Sequence, residues 1–182
     1  MPQILGYGED ALTYWALTQR LQNILTQLKD TTDPDKALVI YRPSFGRKGK
    51  SKGKDDSKPR GPQFGEFDGI IATSHAIYLI EAKWNKSSKR KNEEYRVEKR
   101  QRWRHQIMRE YVKTWRQKST DVTSWKEYRQ SQPDGRFSII NKENEQTNQY
   151  LLPNKKDKLA KNLEFVLNKL KDYGQDIFDV LL

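Results

Sequence analysis

Two carboxylates and an amine occur at a spacing that could hold a cation against a phosphate. They are Asp68, in the apolar run Phe67–Ala72, and Glu81 with Lys83, just past the run Ile77–Ile80. Both runs are rich in β-branched and aromatic residues, and the polar break Thr73-Ser74-His75-Ala76 has hairpin length, which predicts two antiparallel strands. Pairing Ala72 with Ile77 puts Asp68 directly opposite Glu81. Side chains alternate along a strand, so Lys83 shares the face of Glu81. Ile70, Ala72, Ile77 and Leu79 lie on that face, and Phe67, Ile71, Tyr78, Ile80 and Trp84 on the other. Strands apolar on both faces are usually buried on both, where opposed carboxylates are unfavourable without a cation. Mg²⁺ or Mn²⁺, which take hard oxygen ligands, would meet that need, and an ammonium beside them would neutralise charge developing on a bound phosphate. A charge pair on the wet end of a hairpin would account for Glu81 and Lys83. It would not account for three charged groups on one face of otherwise apolar strands.

The stretch FDGII, a short turn and YLIEAKW resembles the core of the PD-(D/E)XK nuclease superfamily. That signature is an Asp on one strand and Glu-x-Lys on the next. Phe67 stands where the signature usually has Pro, and the resemblance covers the hairpin closely and the remainder in outline. It implies an α/β (α+β) restriction-endonuclease-like fold, with a central mixed sheet, an active-site hairpin and flanking helices. It also implies a Mg²⁺- or Mn²⁺-dependent DNA endonuclease with catalytic residues Asp68, Glu81, Lys83 and Glu9. Asp68, Glu81 and the main-chain carbonyl of Ala82 would hold the metal. Such nucleases often complete the site with an acid from the first helix; Glu9 is carried over, with Asp10 as its accessory neighbour. Acids at a helix N-terminus also serve as caps, which explains either residue equally well. Gln106 is a further accessory candidate, because some members carry a helical Gln near the metal. The Asp-x₁₂-Glu-x-Lys spacing is similar to that of archaeal Holliday-junction resolvases, and a compact restriction or defence nuclease fits nearly as well. A non-catalytic nucleic-acid-binding module would need the basic stretches described below but not the carboxylates.

The elements that must position these residues are read from periodicity and breakers. Gly8–Lys29 is expected as one helix, with Tyr14, Leu17, Leu21, Ile24, Leu25 and Leu28 on one stripe. Thr31–Asp35 is a turn, and Lys36–Tyr41 a strand beside the hairpin. Asn92–Gln117 is expected as a long helix whose apolar side is Trp103, Ile107, Met108, Tyr111, Val112 and Trp115. Ser119–Gly135 reads as an irregular link holding Trp125 and Tyr128, which could stack on bases but are expected first to anchor it to the body. Arg136–Asn141 and Gln149–Leu152 read as strands. Lys155–Tyr173 is an amphipathic helix ended by Gly174 in the C′ role. The apolar tail Asp176–Leu182 caps the core or joins a dimer contact.

Charge is concentrated rather than spread. The chain of 182 residues carries +11, which points to a polyanionic partner, here DNA. Gly46–Arg60 has seven Lys/Arg against two Asp, and Lys86–Lys118 has thirteen against four Glu; the remainder is net negative. Arg42–Pro62 is rich in Gly, Ser, Lys and Pro and cannot bury enough apolar area to order itself. A mobile basic loop at about 43–62 is therefore expected within a single domain, 1–182. The nucleic-acid-binding candidates are Arg47, Lys48, Lys50, Lys52 and Lys54 in that loop, Lys89 and Arg90 in the turn after Trp84, and Lys99, Arg100, Arg102 and Arg104 on the helix. There is no Cys and there are two His, which excludes disulfides, thiolate metal sites and a His-rich zinc cluster. His75 lies at the turn, the wrong end of the hairpin for catalysis, and His105 reads as a packing or surface residue. No long apolar run suggests a membrane span, and with no leader pattern a cytoplasmic location is expected. Cutting both strands of a duplex needs two sites, so a homodimer is expected.

Overall fold

The computed structural model describes residues 8–45, 66–83, 99–118, 122–140 and 147–182. In chain order the elements are α1 (Gly8–Gln19), α2 (Leu21–Gln27), β1 (Leu38–Tyr41), β2 (Gly69–Ala72), β3 (Ala76–Glu81), α3 (Lys99–Gln117), α4 (Trp125–Gln130), β4 (Arg136–Ile140), β5 (Thr147–Leu151), α5 (Lys158–Leu170) and β6 (Asp176–Leu181). The chain is α+β and divides into two compact units. One comprises Met1–Pro43, Phe67–Arg102 and Tyr173–Leu182, the other Ser44–Glu66 and Trp103–Asp172.

The first unit is built on a mixed sheet of order β1-β2-β3-β6. β2 and β3 form the expected hairpin in the expected register, Gly69 with Ile80 through Ala72 with Ile77. β1 pairs antiparallel on the other edge of β2. Every residue of β2 and β3 is buried, as the two apolar faces require. Leu17, Leu21, Ile24 and Leu25 from α1 and α2 pack with Ile71, Tyr78, Ile80 and Val180 in one cluster.

Gly8–Lys29 is two helices rather than one. The chain breaks at Arg20, whose backbone (φ −126°, ψ 18°) leaves the helical region. The apolar stripe survives the break because its buried members, Leu17, Leu21, Ile24 and Leu25, still meet the sheet.

The tail is a strand: β6 runs parallel to β3, from Ala76 with Asp176 to Glu81 with Leu181. Gly174 leads into it and does not serve as the helix C′ residue. A Cβ there would lie 2.0 Å from the carbonyl carbon of His75, and its N–H donates to the Thr73 carbonyl at 2.8 Å. Glycine is required at this point by close backbone approach.

In the second unit Ile107, Met108, Tyr111, Val112 and Trp115 of α3 are buried, as are Leu163, Val166, Leu167 and Leu170 of α5. β4 and β5 pair as an antiparallel ribbon, and Phe137 of β4 stacks on Tyr111 with centroids 4.3 Å apart. The expected irregular link contains α4. Ser124 and Glu127 form a reciprocal capping box at its start, and Trp125 and Tyr128 are buried, anchoring it as expected. Of the expected basic loop, residues 43–45 are structured: Phe45 is fully buried and Ser44 bridges to Glu66. Arg47, Lys48, Lys50, Lys52, Lys54, Lys89 and Arg90 lie outside the described residues, as does 92–98 of the expected long helix. No helix among the described residues is long and apolar enough to cross a membrane.

Candidate active site

The end of the hairpin away from its turn carries Asp68, Glu81 and Lys83. β2 begins at Gly69, so Ala82, one residue past β3, loses its strand partner. The Asp68 side chain takes over, Oδ2 accepting the Ala82 N–H at 2.8 Å. The ladder ends with Gly69 opposite Ile80, so Asp68 and Glu81 are the next residues on the two sides of the hairpin. Glu81 is only 2% exposed and its Oε2 accepts from Gln101 Nε2 at 2.6 Å. The ladder to the last strand fixes the backbone here: Leu182 N–H donates to the Glu81 carbonyl and Lys83 N–H to the Leu182 carbonyl, both at 2.9 Å.

Electrostatics show which groups share this space. Burial raises the Asp68 carboxyl above its ordinary value, the Ala82 N–H lowers it, the charges of Glu81 and Glu9 raise it, and Lys83 lowers it. Glu81, Glu9 and Lys83 therefore all act on Asp68, and the net result, led by burial, disfavours its charged form. A cation placed beside it would favour the charged form. Ala82, whose carbonyl the resemblance offers as a third ligand, is buried at the same point. Two carboxylates and a carbonyl are hard oxygen donors, the chemistry that Mg²⁺ and Mn²⁺ accept. Among the described residues, no three His, Cys, Asp or Glu side chains gather into a group that could hold a metal.

Glu9 and Asp10 separate in role. Asp10 pairs with the Arg42 guanidinium, and its main-chain carbonyl accepts from Tyr41 Oη at 2.8 Å. Arg42 holds a left-handed backbone (φ 45°), and its N–H donates to the Asp68 carbonyl at 3.2 Å. Asp10 thus ties α1 to the end of β1, while the charge of Glu9 reaches Asp68.

The helical glutamine on the carboxylates is Gln101. Gln106 instead donates to the Ile140 carbonyl within the second unit. Of the helical cations, Arg102 is exposed and Arg104 half-buried; Lys99 and Arg100 lie in the first turn of α3, and their side chains are outside the described set. His105 is fully buried. At the turn, His75 Nδ1 lies 3.2 Å from Asp30 Oδ1 and 3.0 Å from Thr32 Oγ1, in a network that sequence reading missed.

Comparison of the chain with protein-family models, with curated proteins and with solved structures found no match.

Proposed function

We propose that this protein is a metal-dependent DNA endonuclease of the PD-(D/E)XK type. The observation that carries the reading is the placing of Asp68 and Glu81 at the open end of a buried hairpin, where Glu81, Glu9 and Lys83 all act on the Asp68 carboxylate. Asp68, Glu81 and the Ala82 carbonyl would hold Mg²⁺ or Mn²⁺, and Glu9 would add negative charge nearby. The metal, when bound, lowers the pKa of a water and polarises the phosphate. Lys83 orients that water or offsets negative charge on the scissile phosphate. Gln101 holds the Glu81 carboxylate in one orientation, the supporting role that metal ligands generally need. The basic stretches supply phosphate contacts, and a homodimer would provide the second site needed to cut both strands.

The test is cleavage of linear, supercoiled and four-way-junction DNA in parallel, with Mg²⁺ or Mn²⁺. Lys83→Ala and Asp68→Asn should each lose at least about 100-fold in rate while still binding DNA. Binding without cleavage in either metal, by the unaltered protein, would mark it instead as a non-catalytic nucleic-acid-binding module.

A further inference from the structure

The second unit carries a cleft that no linear count of charge reveals. It has a volume of about 560 Å³ and lies between α4 and the connection from β5 to α5. Four of its lining side chains are cationic, Lys126 and Arg129 on α4 and Lys155 and Lys156 on the connection, against one carboxylate, Asp157. Lys126 and Arg129 are three residues apart, on neighbouring positions of one helical face. The two pairs are distant in sequence and outside both basic stretches, so only folding gathers them.

The cleft is built rather than incidental. The Ser124–Glu127 capping box fixes the start of α4. Trp125 then ties that helix to its surroundings, its N–H donating to Glu164 Oε2 at 2.6 Å and its Nε1 to the Pro153 carbonyl at 2.8 Å. Asp157 Oδ2 accepts the Asn154 N–H at 2.9 Å, which orients its carboxylate, and its one negative charge leaves the cleft net positive. Arg129 lies against Gly135, where a Cβ would be 3.5 Å from its Cζ. Its Nε is buried and has no hydrogen-bond partner among the described residues. A guanidinium whose buried donor is unsatisfied keeps its full charge uncompensated at the cleft wall.

We infer that this cleft binds the phosphodiester backbone of a nucleic-acid strand. Among the described residues its lining side chains are all polar or charged, which suits a phosphate backbone rather than a stacked base. Cations spread over two elements suit a run of phosphates, and such contacts position a strand without reading its sequence. The inference does not depend on the chemistry at Asp68 and Glu81.

The test is fluorescence anisotropy of a labelled 20-base-pair duplex with the full-length protein in EDTA, titrated across KCl concentrations. No cleavage is required, so an inactive metal site leaves the result intact. The variant Lys126→Gln/Lys155→Gln/Lys156→Gln removes three exposed cations and should not disturb folding. The dependence of log Kd on log salt should become shallower by roughly 2 to 3 units, at about 0.9 for each phosphate no longer neutralised. Arg129→Gln alone should remove about 1 unit. The control Lys161→Gln/Lys169→Gln/Lys171→Gln, with the same change of charge on α5 and just beyond it, should keep the original slope. An unchanged slope in the cleft variant, or an equal loss in the control, overturns the inference.

Discussion

Gln101 Nε2 donates to Glu81 Oε2 across 2.6 Å, so the first turn of α3 is tied to the last residue of β3. A carboxylate held on one oxygen by an amide has fewer orientations to lose when it takes a cation. Gln101→Ala should therefore weaken Mg²⁺ affinity by about 10- to 100-fold, read as a shift in the Mg²⁺ dependence of cleavage. Gln106→Ala, which removes only a donor to the Ile140 carbonyl, should leave that dependence in place. Equal effects from the two variants would remove Gln101 from the site.

Asp68 is expected to cost the fold stability. Its carboxyl is raised, first by burial and then by Glu81 and Glu9, despite the Ala82 N–H and Lys83. A raised acid favours the protonated folded state, so the folded protein loses stability as pH rises through that value. Asp68→Asn removes the charge and keeps an oxygen for the Ala82 N–H. Its melting temperature at pH 7 without metal should rise by roughly 2 °C, and the gain should fade toward acid pH, where the unaltered side chain is also neutral. Added Mg²⁺ should raise the melting temperature of the unaltered protein and not of the variant. A variant less stable than the original at pH 7 would contradict this.

The hairpin was legible because alternation and loop length together fix a register, and one register decides which side chains converge. The helical glutamine was not. Positions 101 and 106 differ by about 140° around a helix, so both cannot address one carboxylate, and the choice depends on helix phase. The break at Arg20 has no Gly or Pro to announce it. α4 could have been read: Ser124-x-x-Glu127 is a capping signature with Trp125 inside it and Tyr128 just after, obscured by the polar residues around it. The parallel pairing of β6 left no local trace, since a short apolar run does not name its partner.

The turn end of the hairpin rests on Asp30, whose side chain is fully buried. It accepts from Thr73 Oγ1 at 2.7 Å, Tyr78 Oη at 2.8 Å and the Thr32 N–H at 2.9 Å. Burial pushes its carboxyl up, but bonds from Thr73, Thr32 and Tyr78 more than reverse this and hold it well below its ordinary 3.8. A lowered acid contributes stability that is present above its unfolded value and is lost as pH falls through the folded one. Asp30→Ala strands several buried donors and should cost about 3 kcal/mol at pH 7. Urea unfolding at pH 7, 5 and 3 should show the deficit steady between the first two and smaller at the third. A deficit that is constant down to pH 3 would mean the charge of Asp30 contributes nothing.

Two glycines of the first unit separate a tight contact that can relax from one that cannot. A Cβ at Gly69 would lie 2.7 Å from Leu17 Cδ1, the far end of a flexible side chain. At Gly174 it would meet main-chain atoms of His75 and Ala76, 2.0 to 2.2 Å away. Those atoms open β3, and the Gly174 N–H bonds to the Thr73 carbonyl, so movement there disturbs the parallel pairing of β3 with β6. Gly69→Ala should cost about 1 kcal/mol, and Gly174→Ala about 3 kcal/mol or more. Because β6 also carries the Leu182 bonds that hold the backbone of Glu81 and Lys83, the Gly174 variant should lose cleavage along with stability. Hydrogen exchange that stays slow at Ile77 through Glu81 in Gly174→Ala would show that the close approach is not what holds this edge of the sheet.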